Sequence, residues 1–477
     1  MRFLLIGHSA REHAIAKRLI REGHVVVSYM VKQNVGLENV CHAYVRAQDY
    51  SCNDIISAAI VEKIDLILPS DEAALFGGVA DAAVEAGIAC FGHTKKTAAL
   101  IELARDEVIA TMPSSRYVRV PDGKLVRSHE EIRSFAALRH KIAVKPLRPL
   151  DGSFSQNDRG VTFVEDAESS IDHLVLPAWV EPYQSGVDFS IHYMVNGSHY
   201  HYLGLTFDYP FLDDTCTILT GGMGAIVPSD ADKSVVSPVL LSECQAMAEK
   251  CFYKLQERYA CRINGFVSLQ FRKVRQQAIF TELDCKPGNP EIVALLPTLI
   301  GEFGESIMAI TKGELPSISS SGKASVALSM ASPDYPSGGA AIKIPDTILS
   351  REDVSIGETI QAASTIRSGR SRTLCVVESG EHVKQVLDIV LSAAREIKNN
   401  TGLIFRDDIG AHVFSLAASR RVHKSLLELK QKGGKRFMLR LSPEANEALK
   451  QLVASKSFPS ETMAINWAII MASKISN

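Results

Sequence analysis

Two spacings of apolar residues alternate over the first 95 positions. RFLLIG, HVVVSYMV, DLILPS and IACFG are short apolar runs. REHAIAKRLIREG, IISAAIVEKI and LFGGVADAAVEAG space their apolar positions three and four apart between them. That order predicts parallel strands joined by crossover helices. A helix, TKKTAALIELARDEVIATM, follows. Strand-rich sequence then runs to about residue 315. KIAVKPL is a strand carrying Lys145, followed by a long polar loop, LDGSFSQNDRG, and by VTFVED. LPAWVEPY and DFSIHYMVNG are strands joined by QSGV, LTGGMGA at 219–225 is a glycine loop, and QQAIFTEL is a further strand. From 323 to 414 the pattern changes to ASVALSMAS, TLCVVESG and the helix EHVKQVLDIVLSAAREIKN, a smaller α+β unit ending in GLIFRDDIGAHV.

Beyond 414 the chain turns basic. Eight Lys/Arg stand against one acid between Arg420 and Arg440. KGGK reads as a linker, RFMLRL as a strand, and PEANEALKQLVAS and TMAINWAIIMAS as helices capped by Ser442 and Ser460. Four segments result: an α/β domain over 1–113, a two-part α+β domain over 114–318, a small α+β domain over 319–414, and a tail over 415–477.

Composition narrows the class. With 477 residues and 46% hydrophobic content, several cores can be buried. A net charge of −2 gives no general pull toward nucleic acid or membrane. No apolar run approaches the ~18 residues of a membrane span, and Gly7 and the Arg11-Glu12 pair end the first run too soon for a signal peptide. Nine cysteines without a CxxC pair suit reduced thiols in the cytoplasm.

The candidate chemistry centres on TELDCKPGNPE. Glu282 and Asp284 stand two apart on a strand and so share a face. Two carboxylates there ionise together cheaply only with a cation between them, and Mg²⁺, which takes oxygen ligands, suits that place. A solvated strand end is the plain alternative. Lys145 can hold a phosphate as a point charge, or can simply reach solvent. Glu181 and Asp188 can accept hydrogen bonds from ribose hydroxyls, or can solvate a hairpin. The glycines of LTGGMGA let backbone N–H groups approach an anion. GHSAR opens the first helix, where anions bind, but lacks G-x-G-x-x-G.

In their order, GHSAREHA, SDEAALFGGVAD, IACFGHT, IAVK, VEPYQSGVDFS, LTGGMGA, TELDCKPGNPE and GLIFRDDIG resemble the ATP-grasp ligases, and within them the phosphoribosylamine–glycine ligase family. The resemblance covers residues 1 to about 414. It implies an ATP-dependent, ADP-forming C–N ligase with ATP and Mg²⁺ (or Mn²⁺), in which a carboxylate becomes an acyl phosphate and an amine displaces phosphate. It implies that Arg105 and Lys145 contact phosphates, Glu181 to Tyr183 line the adenine and Asp188 holds the ribose. Glu282 and Asp284 would ligate the metal. Arg159 in the closing loop, Lys286, Gly222 and Gly224 would serve the chemistry. Gly7, Arg11, Glu12, Glu72, Asp208, Gly288 and Glu291 would bind the amine and the amino acid.

The departures fall mostly on the acceptor side. Ser9-Ala10 replace a glycine pair. Tyr209-Pro210-Phe211 follow Asp208 where the family carries His-Lys-Arg, and Lys286 replaces an arginine. The tail resembles a ribbon-helix-helix module and is an addition to the family's usual form. It implies a homodimer, a reading preferred to DNA contact. Three functions compete: glycinamide ribonucleotide synthesis in purine formation, the same ATP chemistry on another amine or amino acid, and a DNA-binding regulator that senses nucleotide.

Overall fold

The computed structural model describes residues 1–410 except 140, 148–160, 166–170, 214–217, 233, 339 and 363–364, together with 449 and 451. The chain forms two compact units, Met1–Phe414 and Ser415–Asn477. The strand and helices expected in the tail lie, apart from residues 449 and 451, outside the described residues.

The N-terminal region alternates as its apolar pattern implies. Its elements are β1 (Arg2–Ile6), α1 (Ala10–Arg21), β2 (Val25–Met30), α2 (Val35–Val40), β3 (Ala43–Arg46), α3 (Cys52–Val61), β4 (Leu66–Pro69), α4 (Glu72–Gly77), α5 (Val79–Glu85) and β5 (Ala89–Cys90). The strands form one parallel sheet in the order β3-β2-β1-β4-β5. Phe3 to Ile6 are fully buried because the central strand is covered on both faces. Leu4 and Ile6 pack with Val27, Tyr29 and Ile55, while Phe3 and Leu5 pack with Ala16, Leu19 and Phe303. The chain moves outward from β1 to β3 and then crosses to β4 on the other side. The connections leaving β1 and β4 therefore diverge, which opens a crevice at the carboxyl ends of these two strands. Gly7 and His8 follow β1 there, and Ser70, Asp71 and Glu72 follow β4.

The helix expected over 94–112 is two helices, α6 (Lys95–Leu103) and α7 (Arg105–Thr111), broken at Ala104 with φ −93° and ψ 59°. The break sets Arg105 at the head of α7, where its guanidinium reaches the strand of the acid pair. Next come β6 (Val118–Arg119), β7 (Lys124–Val126), α8 (His129–Ala136), β8 (Ile142–Pro146), β9 (Thr162–Val164) and β10 (Ala178–Pro182). Four of these strands make a small antiparallel sheet, β7-β10-β8-β9, over a core of Val126, Ile132, Phe135, Ile142, Val144 and Val180.

The large sheet follows: β11 (Val187–Asn196), β12 (His199–Phe211), β13 (Leu219–Val227), helix α9 (Pro238–Tyr259), β14 (Asn264–Val274) and β15 (Gln277–Asp284). α9 begins on Ser237, whose side chain accepts from Leu240 N–H, with Pro238 in the first turn where a missing donor costs nothing. It buries Cys244, Met247, Cys251 and Leu255 along one stripe. Strands Ala324–Met330, Leu374–Gly380 and Val354–Ile356 extend the sheet beyond β13, and β6 joins its other edge beside β15, giving nine strands. LTGGMGA, expected as a loop, is thus part of β13. Its glycines serve a close approach of backbone rather than a turn. A Cβ on Gly222, at φ +109°, would stand 2.7 Å from Pro290 Cδ and 2.8 Å from the Asn289 carbonyl.

Candidate active site

A cavity opens between the small sheet and the large one. Its wall holds Lys145, Glu181, Tyr183, Asp188, Asp208, Gly222, Glu282 and Glu291, eight positions singled out from sequence. The antiparallel register of β8 and β10 sets Lys145 opposite Trp179, beside Glu181. Lys145 Nζ is 2.5 Å from Glu181 Oε1 and donates to the Thr281 carbonyl at 3.0 Å. Glu181 also accepts from the Trp179 indole at 3.0 Å. Burial pulls the Lys145 pKa down and the charge of Glu181 opposes it; the net direction is down. A buried ammonium so held is a point charge ready for a phosphate oxygen.

The other end of the cavity is aromatic. Tyr183 meets Phe163 edge-on at 5.0 Å, and Phe163 lies 5.9 Å from Phe211. The Arg272 guanidinium lies 4.7 Å from the Tyr183 ring centre, and Lys141 Nζ lies 5.1 Å from it. Arg272 Nε donates to Asp188 Oδ1 at 2.7 Å, across the β11–β14 pairing that sets the two residues opposite. A flat apolar ring with a polar rim fits such a slot.

β15 delivers Glu282 and Asp284 on one face, opposite Gln270 and Ser268 of β14. Arg105 donates to Glu282 Oε1 at 2.8 Å and to the Thr281 carbonyl at 2.6 Å. Gln270 donates to Asp284 Oδ2 at 2.6 Å. Glu102, from the last turn of α6, joins the pair: one carboxylate oxygen from each of Glu102, Glu282 and Asp284 lies within 4.8 Å of the others. An all-oxygen donor set fits Mg²⁺ or Mn²⁺. Lys286 sits beside it, 2.8 Å from Glu102 Oε1, 3.7 Å from Glu72 Oε2 and 3.8 Å from Asp284 Oδ1.

Lys286 therefore ties the acid cluster to the N-terminal crevice. Arg11 does so too, donating to Glu12 Oε1 at 2.6 Å and to the Pro287 carbonyl at 2.8 Å. Glu12 closes a capping box with Ser9, its Oε2 accepting from the Ser9 amide at 2.7 Å. Gly7, at φ +138°, leaves that carboxylate its room, since a Cβ would stand 2.6 Å from Glu12 Cδ. Gly288 does the same for Glu291. Asp208 is half-buried, with the hydroxyls of Ser190 and Thr206 donating to it. Burial and the nearby Glu291 push its pKa well up, which favours a neutral acid.

Two of the expected site glycines sit differently from the other residues. Gly224 is apart from the cavity wall: it pairs with Tyr209 and Leu328 and packs on Ile409. Gly222 lines the cavity, but its amide already donates to Thr220 Oγ1 at 2.9 Å, so it is no open anion cradle. Arg159 lies outside the described residues. Glu102, Gln270, Arg272 and Arg372 were not anticipated. Glu102 had a signal, three residues before Arg105 on one predicted helix. Arg272 had none, because its partner Asp188 is 84 positions away. Arg372, buried, donates to the Asn289 carbonyl at 2.9 Å.

A parallel α/β domain ahead of two α+β parts that face each other across an aromatic and cationic cavity is the ATP-grasp architecture. Solved structures agree. The phosphoribosylamine–glycine ligase of Thermotoga maritima aligns with a TM-score of 0.66 at 17% identity, over 86% of this chain and all of that one. The L-amino acid ligase of Bacillus licheniformis aligns with a TM-score of 0.59 at 12% identity, over 85% of this chain and 98% of that one. At the sequence level, the N domain of phosphoribosylglycinamide synthetase matches residues 1–102. The phosphoribosylamine–glycine ligase of Methanosarcina acetivorans is 26% identical over 431 residues, covering 86% of this chain and 94% of that protein. That of Pyrococcus furiosus is 26% identical over 455 residues, covering 89% and 98%.

Proposed function

We propose that the protein is an ATP- and Mg²⁺-dependent ligase joining the carboxylate of glycine to the amine of phosphoribosylamine, a step of purine biosynthesis. One observation carries the reading: a buried lysine and a three-carboxylate cluster meet at one end of an aromatic cavity, in an ATP-grasp fold. The near full-length likeness to archaeal phosphoribosylamine–glycine ligases supports the choice of substrates.

In this reading Phe163, Tyr183 and Phe211 take the base, Asp188 the ribose, and Lys145 and Arg105 the phosphates. Glu282 and Asp284, with Glu102, hold Mg²⁺, which supplies positive charge for the phosphoryl oxygens. The carboxylate takes the γ-phosphoryl group to become an acyl phosphate, and the amine displaces phosphate. Lys145 and Arg105 do their part by position and charge, since phosphoryl transfer needs neutralisation more than a covalent nucleophile. Asp208, Gly288, Glu291 and Lys286 border the place where carboxylate and amine meet.

We also propose that the tail over 415–477 pairs two copies of the chain. A chain ending at 414 should then run at half the size of the full protein in solution. No helix among the described residues is long and apolar enough to cross a membrane, and the eight described cysteines are free thiols, which supports a cytoplasmic setting.

The test is ADP release with ATP, Mg²⁺, glycine and phosphoribosylamine. Release that needs all four supports the reading. ADP formed with another amine or amino acid, and not with these, replaces it by the same chemistry on a different acceptor.

A further inference from the structure

Three titratable groups at the crevice between β1 and β4, His8 and Asp71 buried and Tyr50 half-buried, have no part in the scheme above. His8 follows β1, Tyr50 precedes α3, and Asp71 is the N-cap of α4. The Tyr50 hydroxyl donates to Asp71 Oδ2 at 3.1 Å, and Asp71 Oδ1 accepts from the Ala73 amide at 2.9 Å. His8 Nδ1 lies 3.2 Å from the same Tyr50 oxygen. Tyrosine has one hydroxyl proton; with it directed at an ionised Asp71, the tautomer that satisfies both contacts has His8 Nδ1 donating to Tyr50. That leaves the lone pair on Nε2. This atom has no hydrogen-bond partner among the described residues, and it is not among the buried unsatisfied atoms. A base, an orienting group and an anchoring carboxylate in series is the arrangement that fixes an imidazole in one tautomer.

We propose that His8 is the general base of the amide-forming step and that Tyr50 and Asp71 are its positioning residues. Side chains link the crevice toward the acid cluster: Glu72, next to Asp71 in the chain, lies 3.7 Å from Lys286 Nζ, which lies 3.8 Å from Asp284 Oδ1. An amine held there stands beside the phosphoryl end of the cavity. As the amine nitrogen bonds to the acyl carbon, the carbon–oxygen bond to phosphate breaks and its electron pair leaves with phosphate. The nitrogen's extra proton passes to His8 Nε2 and then to solvent.

The surroundings suit a base that starts neutral. Burial lowers the His8 pKa, opposed by Glu12 of α1 and by Glu358 beyond Val354–Ile356, and aided by Lys32 after β2 and by Arg11. Asp71 and Tyr50 face it from the β4 and α3 sides. The net direction is down, so the imidazole is uncharged at neutral pH, and the carboxylates of Glu12, Glu358 and Asp71 favour the imidazolium once formed.

The inference rests on the ligase reading, and one experiment separates the two. ADP release is followed from pH 5.5 to 9 in the full-length wild type, His8→Asn and Tyr50→Phe, with binding of a fluorescent ATP analogue as a check of folding. Wild-type turnover should rise with pH along a lower limb. His8→Asn should lose about 10²–10³-fold in kcat and lose that limb, with nucleotide binding and KM for ATP unchanged. Tyr50→Phe should lose less and move the limb. A His8→Asn protein within threefold of wild type, or one that keeps the limb and changes only KM for the amine, overturns the inference. Wild-type protein that releases no ADP with any of a panel of amines overturns the ligase reading, and the inference with it.

Discussion

The nucleotide side and the acceptor side of the molecule solve different problems. Around the cavity, charged groups stand as separate ion pairs beside aromatic walls: Lys145 on Glu181, Arg272 on Asp188. Around the crevice, charges are interlocked: Lys286 faces three carboxylates, Arg11 holds Glu12, and His8, Tyr50 and Asp71 form a chain. A planar base and a phosphate chain can be held by a slot and a few point charges. Joining an amine to a carboxylate also requires proton movement, which needs titratable groups whose neighbours bias them. The groups on the acceptor side are coupled, so a change at one is felt by the rest.

Substitutions can break this contrast at graded cost. The largest effect is expected at Glu282→Gln, which removes a charge from the three-acid cluster: turnover should fall by about 10³-fold, with thermal unfolding within a few degrees of wild type. Unchanged turnover at saturating Mg²⁺ would remove the metal assignment. Lys286→Met should cost about 3 kcal/mol, because Glu72, Glu102 and Asp284 lose their buried ammonium. Added Mg²⁺ should restore more stability in this variant than in wild type, as read from urea midpoints. Equal Mg²⁺ responses would mean that the lysine and the ion do not share the cluster.

Gly222→Ala should cost about 1–3 kcal/mol, since φ is +109° and the new Cβ meets Pro290 and Asn289. A variant as stable as wild type would show that the Asn289–Pro290 turn yields. Acid should weaken both sides by a similar amount. His13, accepting from the Ile356 amide on the acceptor side, and His192, between Ser268 and Thr206 on the other, are held by burial at a pKa of about 3. The unfolded chain binds these protons near pH 6.5, so stability is complete above that pH and falls as pH drops toward 3. The loss at pH 5 should be about 2 kcal/mol per histidine. A urea midpoint that stays level from pH 7 to pH 5 would count against neutral buried histidines.

Local patterns carried much of the fold. The alternation over residues 1–95 was enough for a parallel sheet, because apolar spacing is set by neighbours a few positions apart. The pair Glu282 and Asp284 was legible for the same reason, and Lys145 at the end of β8 likewise. The break at Ala104 was not legible: TKKTAALIELARDEV is a good helical sequence, and only the demand that Arg105 reach Glu282 accompanies the kink. LTGGMGA misled, since glycine marks close approach as well as turns, and which applies depends on what lies opposite.

Period, capping and charge spacing act through the chain itself, so the sequence alone determined the order of strands and helices, the carboxylate pair and the basic change of the tail. Tertiary structure decided which distant residues share a site. Glu102 meets Glu282 and Asp284 across some 180 positions, Asp188 meets Arg272 through strand register, and His8 meets Asp71 because two parallel strands lie side by side. Such meetings follow from which surfaces bury one another, and that is a property of the whole folded chain rather than of any stretch of it.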